Sequence, residues 1–201
     1  MINRLSVTQK LVLSFVFVII VGSILLSLPI SHYANSPETS YLDHLFNTVS
    51  MVCVTGLSVV PVSKAYNGLG QIFSMLLMQT GGLGLVSLIA FSTYTLKNKL
   101  GLSDQDLLQS ALSRDNQKDL KAYLFKVYKI TFSIEALAAL VIMTDFVPRF
   151  GLGHGIFNSL FLAVSAFCNA GFDILGNNSM VPYVGNVWIN LVICGLIIAG
   201  G

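Results

Sequence analysis

Two short segments carry residues that can bind a cation without any charged side chain. They are Val54-Thr55-Gly56 and Asn169-Ala170-Gly171, and each follows a short apolar stretch. Glycine adopts positive φ without steric cost, so the backbone around it can turn consecutive carbonyl oxygens toward one axis. Rings of such carbonyls replace the hydration shell of potassium. The two segments therefore predict a potassium site made of backbone oxygens only.

Both segments stand at the same place in an internal repeat. Residues 45–56 align with residues 160–171 at an offset of 115, and six of the twelve aligned positions are identical. The identical pairs are Leu45/Leu160, Phe46/Phe161, Val49/Val164, Ser50/Ser165, Cys53/Cys168 and Gly56/Gly171. Gly70 and Gly185 match at the same offset. Because a repeat defines the architecture, we expect two units of the same kind.

The composition indicates a membrane protein. Hydrophobic residues make up 54% of the 201 residues and charged residues 10%, whereas soluble domains carry about 25% charged residues. The net charge of +2 gives no indication of nucleic-acid binding. Cys53, Cys168 and Cys194 form no CxxC pattern, so neither a disulfide framework nor a metal site is predicted.

Four long apolar stretches alternate with two short ones. The long stretches cover residues 11–31, 65–96, 123–146 and 174–201, and the first is too long for a signal-peptide core. The short ones, residues 43–60 and 154–173, each have an apolar portion that would rise only about 16–18 Å as a helix. A hydrocarbon core is about 30 Å thick, so the short stretches are expected to be re-entrant. The C-terminal carbonyls of a re-entrant helix carry partial negative charge and stabilise a cation.

The basic residues predict the orientation. Nine of the eleven lysines and arginines lie in the N-terminal segment or between residues 97 and 129. By the positive-inside rule, the N-terminus and the middle connection are cytoplasmic, and both re-entrant segments enter from outside. Asp173, two residues after Gly171, is then expected at the outer mouth, where it would concentrate cations. Repeats of parallel orientation fit a rotationally symmetric pore, whereas inverted repeats are typical of many secondary transporters.

Three motifs resemble the Trk/Ktr/HKT potassium-uptake family, with the closest likeness to the Ktr-type bacterial membrane subunit. They are Val54-Thr55-Gly56-Leu57-Ser58, Ala166-Phe167-Cys168-Asn169-Ala170-Gly171-Phe172-Asp173 and Gln79-Thr80-Gly81-Gly82-Leu83-Gly84. The resemblance covers the whole chain but only the N-terminal half of such a protein. It implies an all-α membrane protein of tandem parallel helix–pore loop–helix repeats, resembling a potassium channel subunit. Four loops jointly form the family's filter, and its filter glycines map to Gly56 and Gly171.

The resemblance also implies a function and partners. It implies potassium uptake across the bacterial cell membrane through the carbonyl-lined filter, with sodium as an activator and no tightly bound cofactor. A cytosolic regulatory subunit with nucleotide-binding domains and a homodimer are implied as well. We expect no enzyme, because no two catalytic groups lie near each other at membrane depth. A secondary transporter with discontinuous helices and a non-conducting fragment remain open as alternatives.

The repeat predicts three regions. They are a first repeat over residues 1–96, a cytoplasmic connector over 97–122 and a second repeat over 123–201, whose last helix is expected to be truncated. The glycine pair Gly81-Gly82 has a counterpart in Gly200-Gly201 at an offset of 119. These pairs predict close helix packing or a flexible, gating break. Glu135, an acid inside an apolar stretch, is expected to bond with another helix rather than coordinate the ion.

Overall fold

The computed structural model describes residues 7–84 and 117–201, and this part of the chain is helical. The α-helices are α1 (Val7–Ser27), α2 (Tyr41–Val52), α3 (Val62–Ala65), α4 (Gly68–Gly82), α5 (Gln117–Phe150), α6 (Leu152–Phe167) and α7 (Val187–Gly200). Single 3-10 turns cover Pro29–Ser31 and Val181–Tyr183. Among the described residues, the β pairing consists of one isolated bridge between His32 and Tyr66. The predicted all-α class therefore agrees with the described structure.

The short helix α2 begins and ends where its sequence allows. Ser40 and Asp43 form a capping box: the Ser40 N–H donates to the Asp43 carboxylate at 2.8 Å, and the Asp43 N–H donates to the Ser40 hydroxyl at 3.3 Å. The helix has 12 residues, a rise of about 18 Å. It is thus as short as predicted. Helix α6 has 16 residues and begins directly after Gly151, earlier than the sequence indicated.

One helix in the described ranges is long and apolar enough to cross a membrane by length and composition, the part of α5 from Phe125–Phe150. Shorter apolar helices cover Val12–Ser27, Leu152–Phe167 and Val187–Gly200. Several large apolar side chains of these helices are exposed, including Phe17 (66%) and Leu137 (65%). Such apolar outer faces suit contact with lipid better than contact with water.

Two apolar cores hold the helices together. Helix α2 packs on α1 and α4, and α6 packs on α5, α7 and α4. The first core contains Leu26, Met51, Tyr66 and Met78, and the second contains Ile142, Phe146, Phe167 and Leu196. Phe161 and Cys168, which belong to the second half of the chain, lie in the first core. The two halves are therefore joined along one face of α6.

The long apolar stretches differ from the helices in three places. Helix α1 ends at Ser27 rather than at residue 31, since Pro29 disfavours helical backbone in the residue before it. Residues 174–186 form a connection with one 3-10 turn before α7, so the stretch 174–201 is not one helix. In the stretch 65–96, α4 ends at Gly82, and residues 85–96 lie outside the described residues. Of the predicted connector, residues 97–116 lie outside them too, and α5 begins at Gln117.

Candidate functional site

Helices α2 and α6 end in the same hydrogen-bonded turn. The N–H of Thr55 donates to the carbonyl of Ser50 at 3.0 Å, and the N–H of Ala170 donates to the carbonyl of Ser165 at 2.8 Å. A bond that spans five residues at a helix end is the longer bond of a Schellman turn, which uses carbonyls that the helix leaves unpaired. Each position is offset by 115 from its counterpart, so the sequence repeat is also a repeat of local structure.

The residues after each helix adopt positive φ in the same order. Val54 has φ 50° and Asn169 has φ 55°, and the glycines that follow two positions later, Gly56 and Gly171, have φ 74° and 72°. Glycine tolerates this region, but a β-branched valine there is an outlier. Such strain costs on the order of 1–3 kcal/mol and persists only where the surroundings enforce it. The positive φ of Val54 is therefore imposed by its surroundings, whereas Gly56 adopts positive φ without strain.

A buried serine fastens the far side of each loop. The Ser50 hydroxyl accepts the N–H of Leu57 at 2.9 Å, and the Ser165 hydroxyl accepts the N–H of Phe172 at 2.9 Å. Both serines are 2% exposed. Neither serine was predicted as a site residue, although the identity of Ser50 and Ser165 in the repeat is the signal that marks them. Each loop is thus closed by one bond to a helix carbonyl and one to a serine.

The two loops lie against each other. A Cβ added to Gly56 would stand 3.2 Å from the carbonyl oxygen of Ala170 and 3.5 Å from the Cα of Gly171. Ala170 is fully buried, whereas Thr55 and Asn169 are exposed. The structure therefore brings the six predicted carbonyl-bearing residues into one region, at the C-terminal ends of two helices. Neither helix has a basic residue in its last turn, so the partial negative charge of its carbonyls is not offset locally.

Asp173 lies beside the second loop and is engaged within its own connection. Its carboxylate accepts the N–H of Leu175 at 2.9 Å and the hydroxyl of Ser179. Asp173 also lines a cavity of about 230 Å³ together with Asn169 and Gly171. Its predicted position near the loop is compatible with this geometry, and its effect on cations remains a prediction.

The glycines that end α4 and α7 contact the short helices in the same way. A Cβ on Gly81 would overlap the carbonyl oxygen of Val52, and a Cβ on Gly200 would overlap that of Phe167. Val52 and Phe167 are the last residues of α2 and α6. These contacts favour the close-packing interpretation of the glycine pairs. A gating role stays a prediction.

The second glycine of each pair lies against the second loop region. A Cβ on Gly82 would stand 2.6 Å from the Cβ of Cys168, and one on Gly201 would stand 3.1 Å from the side-chain nitrogen of Asn169. A residue larger than glycine at position 82 therefore has no room unless Cys168 moves. Helix α4 of the first half thus packs closely on the second half of the chain.

The offset of 119 relates both ends of α4 to those of α7. Asn67 caps α4 and Asn186 caps α7, and these positions are also 119 residues apart. The match of Gly70 with Gly185 was therefore wrong as an equivalence. Gly70 lies inside α4 against the Ser31 carbonyl, whereas Gly185 precedes α7 with no atom within 4 Å of an added Cβ.

Asn47 braces the chain that leaves the first loop. Its side-chain oxygen accepts the N–H of Val59 at 3.1 Å, and its side-chain nitrogen donates to the carbonyl of Val60 at 3.0 Å. Asn47 is fully buried in α2. This residue was not predicted from the sequence, because its counterpart at the offset of 115 is Leu162 and the repeat gives no signal.

A buried histidine completes this brace. His44 lies 3.0 Å from the Tyr66 hydroxyl through Nδ1 and 3.0 Å from the Thr39 hydroxyl through Nε2. The rings of His32 and His44 meet edge to face with centroids 4.7 Å apart. Burial lowers the pKa of His44, helped by the adjacent His32 and opposed by Asp43. Burial also raises the pKa of Tyr66 to about 12, so both groups are held in their neutral forms near neutral pH.

Glu135 bonds with another helix, as predicted. Its Oε1 accepts the side-chain N–H of Gln79 on α4 at 2.9 Å, and the residue is 2% exposed. The described residues contain no group of three or more histidine, cysteine or acidic side chains that could hold a metal ion. The backbone carbonyls of residues 54–56 and 169–171 stay the predicted ligands for a cation.

Comparison with known proteins identifies the family. Residues 6–201 match the TrkH family, described as a cation transport protein. The chain is 38% identical over 198 residues to the Ktr system potassium uptake protein B of Bacillus subtilis (strain 168), covering 98% of this chain and 44% of that protein. It is 36% identical over 200 residues to the potassium/sodium uptake protein NtpJ of Enterococcus hirae, covering 99% and 44%.

A third relative is also a potassium uptake protein by name. The chain is 34% identical over 191 residues to the Ktr system potassium uptake protein B of Vibrio alginolyticus, covering 95% of this chain and 41% of that protein. The chain thus spans less than half the length of these curated relatives. Since the family match covers nearly the whole sequence, the chain belongs to the TrkH family of cation transport proteins.

Proposed function

We propose that the chain supplies two loops of the selectivity filter of a potassium-uptake pore. The observation that carries the proposal is the matched backbone of residues 54–56 and 169–171, with positive φ at the first and third position of each loop. A reversal of φ from one residue to the next rotates successive peptide planes, so carbonyls that would otherwise alternate can face the same side. The relatives' printed names, which specify potassium uptake, support potassium as the ion.

The proposed filter binds potassium through carbonyls of Val54, Thr55, Gly56, Asn169, Ala170 and Gly171. The carbonyl ends of α2 and α6 add partial negative charge at the same place. Two loops cannot surround an ion, so a complete ring needs two more, supplied by a longer chain or a second copy. Each repeat, over residues 1–96 and 123–201, then contributes an outer helix, a pore loop and an inner helix.

We place the chain in the cell membrane with its N-terminus and the connector over residues 97–122 in the cytoplasm. The exposed apolar side chains of α1 and α5 support contact with lipid. The distribution of lysine and arginine supports the orientation. In this topology, Asp173 and the His44 brace lie on the outer side, and Gly81-Gly82 and Gly200-Gly201 lie where a gate would form.

Regulation is proposed from the relatives. The name of the NtpJ relative includes sodium, which supports sodium as an activator or second ion. The Ktr relatives are named as parts of a system, which supports a further component, and the proposal takes it to be a cytosolic regulatory subunit with nucleotide-binding domains. A homodimer of the complete membrane subunit is part of the same proposal.

The test is ion uptake by the complete protein in bacteria that lack their own potassium uptake. Gly56→Ser and Gly171→Ser introduce side chains at positive φ, where strain costs about 1–3 kcal/mol, equivalent to about five- to 150-fold in binding. We expect both to reduce the preference for potassium over sodium. Gly176→Ser is the matched control, because φ there is 97° but nothing lies within 4 Å of an added Cβ. Survival of uptake and preference in both filter variants would rule out the filter assignment.

A further inference from the structure

A single amide joins the inner helix of the first repeat to two elements of the second. The Gln79 side-chain N–H on α4 donates to Glu135 Oε1 on α5 at 2.9 Å. The Gln79 Oε1 accepts the thiol of Cys168, the residue directly after α6, at 3.4 Å. Cys168 is buried and immediately precedes Asn169, the first residue of the second carbonyl loop.

The chemistry of the three groups fixes the direction of this relay. When Glu135 is ionised, its carboxylate only accepts hydrogen bonds, and the Cys168 thiol is the donor to Gln79 Oε1, so one orientation of the amide satisfies both partners. The reversed amide would set a carbonyl oxygen against the Glu135 oxygens, with two acceptors facing each other. Because Glu135 is 2% exposed, water cannot readily replace the lost bond, and the relay holds Gln79 in one position.

Helix α4 holds Cys168 at a second point. Gly82 lies about one turn after Gln79 and presents bare backbone, since an added Cβ would stand 2.6 Å from the Cβ of Cys168 and 2.7 Å from its Sγ. The thiol is thus held by the Gln79 amide while its Cβ is held against the Gly82 backbone. Asn169, at φ 55°, follows at once, so a rotation of Cys168 would be passed directly to the loop.

We infer that Gln79 and Glu135 are positioning residues for the second carbonyl loop, and that they contribute to ion selectivity through Cys168. This inference rests on the proposed filter function of residues 169–171. Neither side chain needs to touch the ion. Glu135 orients the Gln79 amide, Gln79 orients the Cys168 thiol, and Cys168 fixes where the carbonyls of the loop begin.

The relay belongs to one junction between repeats. At the offset of 119 that aligns Gly81 with Gly200, the counterpart of Gln79 is Ile198, which has no hydrogen-bonding group in its side chain. Helix α7 therefore cannot build the same relay toward whatever loop it faces. Loss of the relay is expected to disturb one loop of the filter and to leave the ring otherwise intact.

A structural role alone would give a different result. If the relay served only to satisfy a buried carboxylate, its removal would lower the amount of folded protein in the membrane. The ion preference of the protein that remains would then be unchanged. The potassium-to-sodium preference per folded molecule therefore separates positioning from simple stabilisation.

The experiment measures rubidium uptake and its inhibition by sodium and potassium, in vesicles containing the complete protein at equal folded amounts. We expect Gln79→Leu and Cys168→Ala to reduce the preference for potassium by about tenfold to a hundredfold, the range that a displacement of roughly 1 Å produces at a precise site. Cys168→Ser, which keeps a donor, is expected to restore most of it. Thr80→Val is the control, because the Thr80 hydroxyl donates only to the Leu76 carbonyl of its own helix.

Two results would overturn the inference. One is an unchanged preference in Gln79→Leu when wild-type protein is selective; the other is an equal loss in Cys168→Ser and Cys168→Ala. A double variant, Gln79→Leu with Cys168→Ala, is expected to be no worse than either single one, since both act through one chain of bonds. A wild-type protein that takes up no potassium would instead refute the proposed function itself.

Discussion

The hydroxyl of Ser165 accepts the N–H of Phe172 at 2.9 Å and thereby closes the second loop onto its own helix. The first loop is closed in the same way, by Ser50 and Leu57. The serine bond and the helix-end turn hold a loop that has a residue at positive φ at both its start and its end. The geometry of the loop therefore depends on a side chain in the last turn of the preceding helix.

Replacement of Ser165 by alanine tests this dependence. Ser165→Ala leaves a buried N–H without its partner, at a cost of about 1–3 kcal/mol, and frees the loop end. We expect a lower apparent melting temperature in detergent and a weaker preference for potassium in uptake assays. Ser159→Ala is the matched control, since Ser159 is equally buried in α6 but donates only to the Gly155 carbonyl of the same helix. Equal effects in the two variants would contradict the role given to Ser165.

Alanine substitutions at Gly200 and Gly195, both in α7, are expected to change stability in opposite directions. Gly200→Ala places a Cβ on the Phe167 carbonyl, so α7 must move away from α6, and overpacking of this kind costs about 1–3 kcal/mol or more. Gly195→Ala meets nothing within 4 Å and is expected to stabilise α7 by about 0.5–1 kcal/mol. The two melting temperatures relative to wild type check the prediction. A Gly200→Ala protein as stable as Gly195→Ala would show that the contact is not tight.

Asn67 combines a helix cap with a bridge to the end of α1. Its side-chain oxygen accepts the N–H groups of Leu69 and Gly70, and its side-chain nitrogen donates to the carbonyls of Ile30 at 2.7 Å and His32 at 2.9 Å. Asn67→Ala loses both functions, whereas Asn67→Ser keeps a capping oxygen and loses the bridge.

We expect Asn67→Ala to be the more destabilising of the two, because loss of a cap alone costs about 0.5–2 kcal/mol. The apparent melting temperatures of the two variants measure the difference. Asn186→Ala is a comparison within the second repeat, since Asn186 also caps its helix and donates to Asp145 at 3.2 Å. If Asn67→Ser were as damaging as Asn67→Ala, the bridge rather than the cap would be the main contribution of this side chain.

The buried His44 makes stability depend on pH. Its pKa is lowered in the folded protein, mainly by burial, whereas an unfolded histidine titrates near about 6.5. Below that value the unfolded chain binds a proton that the folded chain binds less readily, so acid favours unfolding. The stability contribution is full above about 6.5 and falls as the pH drops through that value toward the folded pKa.

The measurement is the apparent melting temperature between pH 8 and pH 5, to be compared between variants. His44→Gln is expected to be less stable at pH 8, since hydrogen bonds of the buried ring are lost, but to lose less stability on acidification. His154→Gln is the control, because His154 is exposed. An unchanged slope in His44→Gln would show that the acid response arises elsewhere.

The architecture was predictable where the repeat and the hydrophobic pattern agree. The length of α2, the helical class and the proximity of the two carbonyl segments all follow from apolar runs and from identities at one offset. The capping box of Ser40 and Asp43 also has a local sequence signature. The end of α1 was predicted four residues too late. The apolar run continues through Pro29, whereas the helical backbone ends at Ser27.

The contacts that hold the loops were not predictable, since they join residues far apart in sequence. Gln79 and Cys168 are 89 positions apart, and Gln79 and Glu135 are 56 apart. Such pairs are brought together by helix packing, for which a single sequence carries no direct signal. Asn47 was missed for a related reason, because the repeat does not preserve it. The positive φ of Val54 was not predictable either, because β-branched residues such as valine rarely adopt positive φ.

The two offsets have a practical consequence for labelling. The second repeat has four more residues between its loop glycine and its helix cap than the first, because Gly171 precedes Asn186 by 15 positions and Gly56 precedes Asn67 by 11. Yet Gly81 and Gly200 meet their short helices in the same way. The position of α4 relative to α2, and of α7 relative to α6, is thus set by contact between a glycine and a helix-end carbonyl. It is not set by the length of the preceding segment. Residues 177–178, which are exposed in that segment, are therefore a natural insertion point for an epitope or fluorophore that tests the proposed outer position of this connection.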